Sequence, residues 1–152
     1  VGKTHDRGHM APAGNNTIND QIMSESFLLS NMVAQVANNN RGIWKYLEEN
    51  TRYWASKYGQ LNIITGTIFD ANSQTMGNGV KVPSFVYKIV IDPKRVKSIA
   101  FLFPNQKLDP KTMEQYIVSI GEIEDYTGIN FSPLMPEQYR ALEKNRGMLI
   151  DW

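Results

Sequence analysis

A chain of 152 residues, 41% of them hydrophobic, is long enough for one core and too short for two ordinary ones, so a single domain over residues 1–152 is expected. With 16 Lys+Arg against 15 Asp+Glu the net charge is only +1, which excludes a generic polycation and requires any positive potential to be local. The absence of cysteine excludes disulfides, iron–sulfur clusters and thiolate zinc sites, and no apolar run approaches the roughly 20 residues that cross a bilayer.

Both histidines fall inside His5-Asp6-Arg7-Gly8-His9-Met10-Ala11-Pro12-Ala13, so any histidine chemistry belongs there. Taken alone, the stretch also reads as a polar turn before a strand. Residues Gly14 to Asp20 lack periodicity and read as a loop, and the apolar run Phe27-Leu28-Leu29-Ser30-Asn31-Met32 has strand length. A helix is expected from Arg41 to Tyr58: Ile43, Leu47, Trp54 and Tyr58 form one apolar stripe, and Gly59 stands where a C-terminal cap glycine belongs. Asn40, Trp44, Glu48 and Arg52 follow at four-residue spacing, which puts them on one ridge beside that stripe. Without further context, Glu48 and Arg52 are a surface ion pair and Asn40 is a cap.

Leu61 to Phe69 reads as a strand in which Gly66 marks a bulge or a close backbone contact. Asp70 to Gly79 is a loop. Val82 to Ile91 and Ser98 to Phe103 are strands joined by the turn Asp92-Pro93-Lys94-Arg95, which together with the preceding strand suggests an antiparallel meander. Met113 to Val118 is a short strand or a turn. Ser119-Ile120-Gly121-Glu122 has the form of a capping box, with a short helix running to Tyr126 and stopping at Gly128. Pro136 can begin a last helix carrying Tyr139, Leu142 and Glu143, and the apolar end Met148 to Trp152 is free to pack back.

The order Asp6-Arg7-Gly8-His9, then Leu29-Ser30-Asn31, then Asn40-x-Gly42-x-Trp44, Leu47-Glu48 and Arg52 resembles the DNA/RNA non-specific endonucleases, the ββα-metal or His-Me finger nucleases that include mitochondrial endonuclease G. The likeness continues through Val82-Pro83-Ser84-Phe85-Val86-Tyr87-Lys88 to about Phe131. It implies an α+β fold, mainly antiparallel sheet, with a finger of strand, loop, strand and long helix, and further helices packed on the sheet.

The chemistry of these side chains agrees with that resemblance. Hydrolysis of a phosphodiester needs a deprotonated water, positive charge on the phosphoryl oxygens and help for the departing oxygen. Neutral His9 can take the proton near pH 7, its alternative being a metal ligand. No third nitrogen or sulfur ligand exists for zinc, whereas magnesium prefers oxygens and keeps its waters, so Asn40 can supply one oxygen and Glu48 can hold metal-bound waters or ligate directly. Arg7 and Arg52 can fork onto phosphate. By motif position the resemblance implies His9 as general base, Asn40 as the ligand of one magnesium or manganese ion, and Glu48 as organiser of its waters. It further implies Arg7 and Arg52 as phosphate-positioning arginines and Asn31 as support. Asp6 reads as structural, and His5 has no assigned role.

The implied activity is sugar-non-specific cleavage of DNA and RNA to 5′-phosphate ends. The alternatives are a secreted toxin domain held by an inhibitor protein and an inactive nucleic-acid-binding module. Family domains carry further strands and a further arginine ahead of this motif, so a preceding segment or second chain completing the sheet is expected; a homodimer is a second option for the partner. With Val1 in place of Met, a chain that is processed, renumbered or cut from something longer is expected. A secreted or periplasmic address is favoured over a mitochondrial one, with no membrane insertion.

Overall fold

The computed structural model describes residues 4–131, 133 and 137–152. Its centre is a four-stranded antiparallel sheet in the order β3 (Asn62–Ile68), β6 (Phe85–Asp92), β7 (Lys97–Pro104) and β8 (Ile117–Val118). Nearly every residue of β6 and β7 is buried, which means the sheet is covered on both faces. Alternation along β6 divides the core in two. Val86 and Val90, with Ile99, Phe101 and Phe103 of β7, pack under Ile43, Trp44, Leu47 and Trp54. Tyr87, Ile89 and Ile91 pack with Ile120 and Ile123 on the opposite face. Each such side chain contributes about 1.5–3 kcal/mol when fully withdrawn from water. The expected meander is thus present, interrupted by the small ribbon β4 (Thr75–Met76) and β5 (Val80–Lys81).

Gly66 makes a close contact and not a bulge: the register with β6 is unbroken, and an added Cβ would run into the Tyr87 ring. The end of the chain packs back as anticipated, with the Trp152 ring 5.3 Å from that of Trp54 and its carbonyl accepting from Tyr58 Oη at 3.0 Å.

The amino-terminal ribbon pairs β1 (His5–His9) with β2 (Met32–Val36), antiparallel, His9 opposite Met32. Asn105, at the exit of β7, ties it down by donating to Ala34 O and Pro83 O and accepting from Val36 N. The strand expected over Phe27–Met32 is displaced downstream. Leu29–Asn31 forms a 3-10 turn, because the Asn31 amide reaches back to Ala11 and Ser26, and Phe27, Leu28 and Leu29 remain more than half exposed. The loop before it also contains a short helix α1 (Asp20–Glu25), capped by the Asn19 side chain accepting from Ile22 N.

The first long helix departs from expectation in two ways. It starts earlier, as α2 (Ala37–Asn39), and passes through a wide turn over Asn40–Trp44, where Gly42 adopts φ −104° and ψ −109°, before continuing as α3 (Lys45–Tyr58). The extra residue in that turn shifts the helical phase. Trp44, the ridge member nearest the apolar stripe, is in the core, 1% exposed, and Ile43, Leu47 and Trp54 are buried as the stripe predicts. Asn40 has helical dihedrals and caps nothing.

On the far face, α4 (Ile120–Thr127) begins with the expected capping box and ends at Gly128, whose φ of 68° suits glycine. The Met113–Val118 stretch resolves into a 3-10 helix over Pro110–Tyr116 followed by β8. In place of the last α-helix a 3-10 helix spans Glu137–Leu142; Pro136 lies outside the described residues. Glu122 accepts from Ser119 N and from the Arg146 guanidinium, and these partners hold its carboxyl down at about 2. A depressed folded-state value means that the stabilisation is complete above the ordinary 4.5 and fades as pH falls toward 2. Glu122→Ala should therefore lower the melting temperature by roughly 2–4 °C at pH 7, and melts of the two proteins should converge on acidification.

Candidate active site

The ribbon and the first turns of the long helix enclose a cleft of about 520 Å³. His9 stands at the end of β1 on one wall, followed by Pro12, Ala13 and Gly14; Asn40, Glu48 and Arg52 form the other, together with Arg41 and Lys45. Residues far apart in the chain thus meet because β1 pairs with β2, and β2 runs directly into the helix.

Gly8 explains how tightly the ribbon sits on that helix. It is buried against Gln35, with no room for a Cβ. Gln35 Nε2 donates to Asn39 Oδ1 at 2.8 Å, and Asn39 Nδ2 donates to Pro104 O and Gln106 O. The backbone just before Asn40 is thereby fixed to the sheet.

Asn40 is oriented by chemistry as well as packing. Its Nδ2 donates to Asp6 Oδ2 at 3.0 Å, while Arg41 forks onto the same carboxylate through Nε at 2.8 Å and Nη2 at 2.6 Å. The Arg41 guanidinium holds the Asp6 carboxyl below its usual range, so Asp6 is an acceptor alone. The amide nitrogen must then face Asp6, which leaves Oδ1 of this cleft-lining residue without a donor among the described residues. Asp6 is structural in this particular sense.

His9 is half-buried, with the Phe27 ring edge-on at 4.6 Å. Its Nε2 is enclosed without a hydrogen bond, leaving Nδ1 as the nitrogen solvent can reach. Burial pushes the imidazole below its ordinary value, which keeps it neutral. The Glu48 carboxyl is pushed up by burial, against the pull of Lys88, then Arg52. The Trp44 indole N–H also acts on it, from outside hydrogen-bonding geometry.

Of the other expected residues, Arg52 lines the cleft with Nη1 3.5 Å from Asn15 Oδ1. Asn31 touches no cleft space: its amide is spent on Ala11 N, Ala11 O and Ser26 O, so it acts as a clamp on the loop. Arg7 is exposed and lines a neighbouring groove with Leu29 and Met32, outside the cleft. His5 lines that groove too. Arg41 and Lys45 cluster in sequence with Arg7 and Arg52 as a cleft requires but carry no individual role in the sequence reading, and both prove to be cleft cations; that reading missed Lys88, which is buried on β6 and acts electrostatically on Glu48. A lysine inside the apolar run Val86 to Ile91 was the available signal, because lysine is almost never fully buried unless paired.

Among the described residues no three carboxylate or imidazole groups converge on a metal site. What the cleft offers is one neutral amide oxygen beside a carboxylate. That suits a hydrated hard cation such as magnesium and does not suit zinc. Among the described residues no helix is long and apolar enough to cross a membrane.

The model of the DNA/RNA non-specific endonucleases matches residues 1–138. The mitochondrial nuclease EXOG of Danio rerio is 32% identical over 149 residues, covering 87% of this chain and 43% of that protein. Nuclease C1 of Cunninghamella echinulata var. echinulata is 33% identical over 145 residues, covering 86% and 58%. The solved EndoG/EndoGI complex, described as revealing a mechanism of EndoG inhibition, superposes with a TM-score of 0.78 at 27% identity, over 88% of this chain and 61% of that one. The chain thus spans about half the length of the curated relatives it matches. Several relatives are named as mitochondrial, and the secreted address draws no support from them.

Proposed function

We propose, from the premise that this chain belongs to the DNA/RNA non-specific endonuclease family, that it hydrolyses internal phosphodiesters of DNA and RNA. The observation that carries the proposal is the meeting of His9, Asn40, Glu48 and Arg52 in one cleft. A catalytically inactive binding module would have no use for a neutral, half-buried imidazole that lines one cleft with an amide, a carboxylate and a guanidinium.

In this proposal Asn40 Oδ1 would hold one magnesium or manganese ion, and Glu48 would accept from its waters. The ion would supply positive charge to the phosphoryl oxygens and to the departing 3′ oxygen. His9 takes a proton from the attacking water, and neutral as it is, it needs no prior deprotonation near pH 7. Arg52 forks onto the phosphate. Arg41 is already engaged by Asp6, so its contribution is to hold Asn40's neighbour in place. Arg7 contacts a phosphate further along the strand, in keeping with its place outside the cleft. Attack opposite the 3′ oxygen leaves a 5′-phosphate.

The longer relatives motivate the further proposals that a segment or partner completes the free edge of β1, that an inhibitor protein or a second copy is a physiological partner, and that the address is mitochondrial.

Purified protein incubated with closed circular plasmid and with RNA should degrade both in magnesium, and excess chelator should stop it. Intact substrates with magnesium present would overturn the assignment.

A further inference from the structure

Beneath the cleft floor lies a charged side chain that the mechanism above does not use. Lys88 sits in the middle of β6 between Val86 and Val90, on the face that carries the helix, and is 1% exposed. Its ammonium lies 4.8 Å from the Trp44 ring centroid and 3.4 Å from Thr65 Oγ1 on β3. Neither contact neutralises it. The groups that face it electrostatically are Glu48, which attracts it, and Arg52, which repels it. Burial lowers its value to about 8, so a bare lysine would be costly here without a carboxylate above it.

Glu48 presents the complementary problem. It is half-buried and accepts no hydrogen bond of normal geometry among the described residues. The cations acting on it are Lys88, which is buried on the sheet with its ammonium 4.8 Å from the ring of Trp44, one helical turn before Glu48, and Arg52, one turn after it. Arg52 lines the cleft, where a phosphate competes for it, and lies within reach of Asn15. Lys88 is shut away from substrate and cannot be drawn off. Two cations thus act on one carboxylate, and of the two only Arg52 is placed where a phosphate can engage it.

Resting on the nuclease reading of this cleft, we infer that Lys88 is a positioning residue: a buried fixed charge beneath Glu48 that keeps this carboxylate aimed at the cation's water shell while Arg52 engages phosphate. It touches no reacting atom and acts through Glu48 alone. A wholly structural lysine would be equally important whether or not position 48 carried a charge.

That difference is what a double-mutant cycle measures. Lys88→Met, Glu48→Gln and the pair are compared in magnesium-dependent plasmid cleavage and, separately, in metal-free thermal melts. Lys88→Met is expected to raise the half-saturating magnesium concentration by about 10–100-fold and to lower the melting temperature. In the Glu48→Gln background it should add no further loss of activity and a smaller loss of melting temperature. Losses that multiply in activity and add in melting temperature would overturn the inference, as would a Lys88→Met protein with unchanged magnesium dependence. If Lys88→Met alone does not fold, recovery of a cooperative melt in the double variant supports the pairing, and no recovery overturns it. A wild-type protein that cuts nothing in magnesium would instead sink the nuclease reading, leaving the metal-free melts to decide the pairing.

Discussion

His9→Ala should leave a folded protein that cuts plasmid and RNA at least ~10²-fold more slowly than wild type. The fold should survive because the buried Nε2 of the imidazole has no hydrogen-bond partner among the described residues and the ring packs on the edge of Phe27. Activity should not, because the chain's one other imidazole, His5, lines the neighbouring groove and cannot take over. The pH dependence should carry the same signature. Burial disfavours the imidazolium, so His9 loses its proton below the ordinary 6.5. A base works in its deprotonated form; the wild-type rate should therefore climb with pH and reach half its plateau below 6.5, a limb absent from the residual activity of His9→Ala. Cleavage by His9→Ala within a few-fold of wild type would remove the base assignment, and a limb centred above 6.5 would contradict the environment described for the ring.

The parts of the molecule legible in the sequence are those where local chemistry and global packing agree. Ser119 and Glu122 write a capping box in four letters, and Gly128 ends the helix they start. The stripe Ile43, Leu47, Trp54 has the helical period and is buried. Legibility fails where a side chain overrides the pattern. Phe27-Leu28-Leu29 looks like a buried strand, but Asn31 turns the chain there through three hydrogen bonds that no periodicity announces, and the strand forms only afterwards.

The ridge Asn40, Trp44, Glu48, Arg52 was three-quarters right for a related reason. Four-residue spacing drifts by about 40° per step, so Trp44 falls nearer the apolar stripe than Glu48 or Arg52 and its indole goes into the core, while the three polar members line the cleft. The site itself was legible as a set of residue types in order. Its geometry was not, since the contacts that build it join the β1–β2 ribbon to the helix through Asp6 and Gln35, and Lys88 acts on Glu48 from the sheet that the helix covers.

The Asp6 contact makes Asn40 the position where a conservative change should fail most visibly. Asn40→Ala deletes the amide oxygen, so the half-saturating magnesium concentration should rise by at least about 10–100-fold with a matching fall in rate at limiting metal. Asn40→Asp would, by charge alone, bind magnesium more tightly. In this structure it would set a second carboxylate where Asn40 Nδ2 now stands, 3.0 Å from Asp6 Oδ2. Two like charges that close share a proton or move apart, and either response takes the new oxygen away from the cleft. Asn40→Asp should therefore resemble Asn40→Ala. The exchanged pair Asp6→Asn with Asn40→Asp restores a donor facing a carboxylate and should recover part of the loss, incompletely because Arg41 loses its partner. An Asn40→Asp protein that works as well as wild type at low magnesium, or an exchange that recovers nothing, would show that the Asp6 hydrogen bond does not set the direction of the amide.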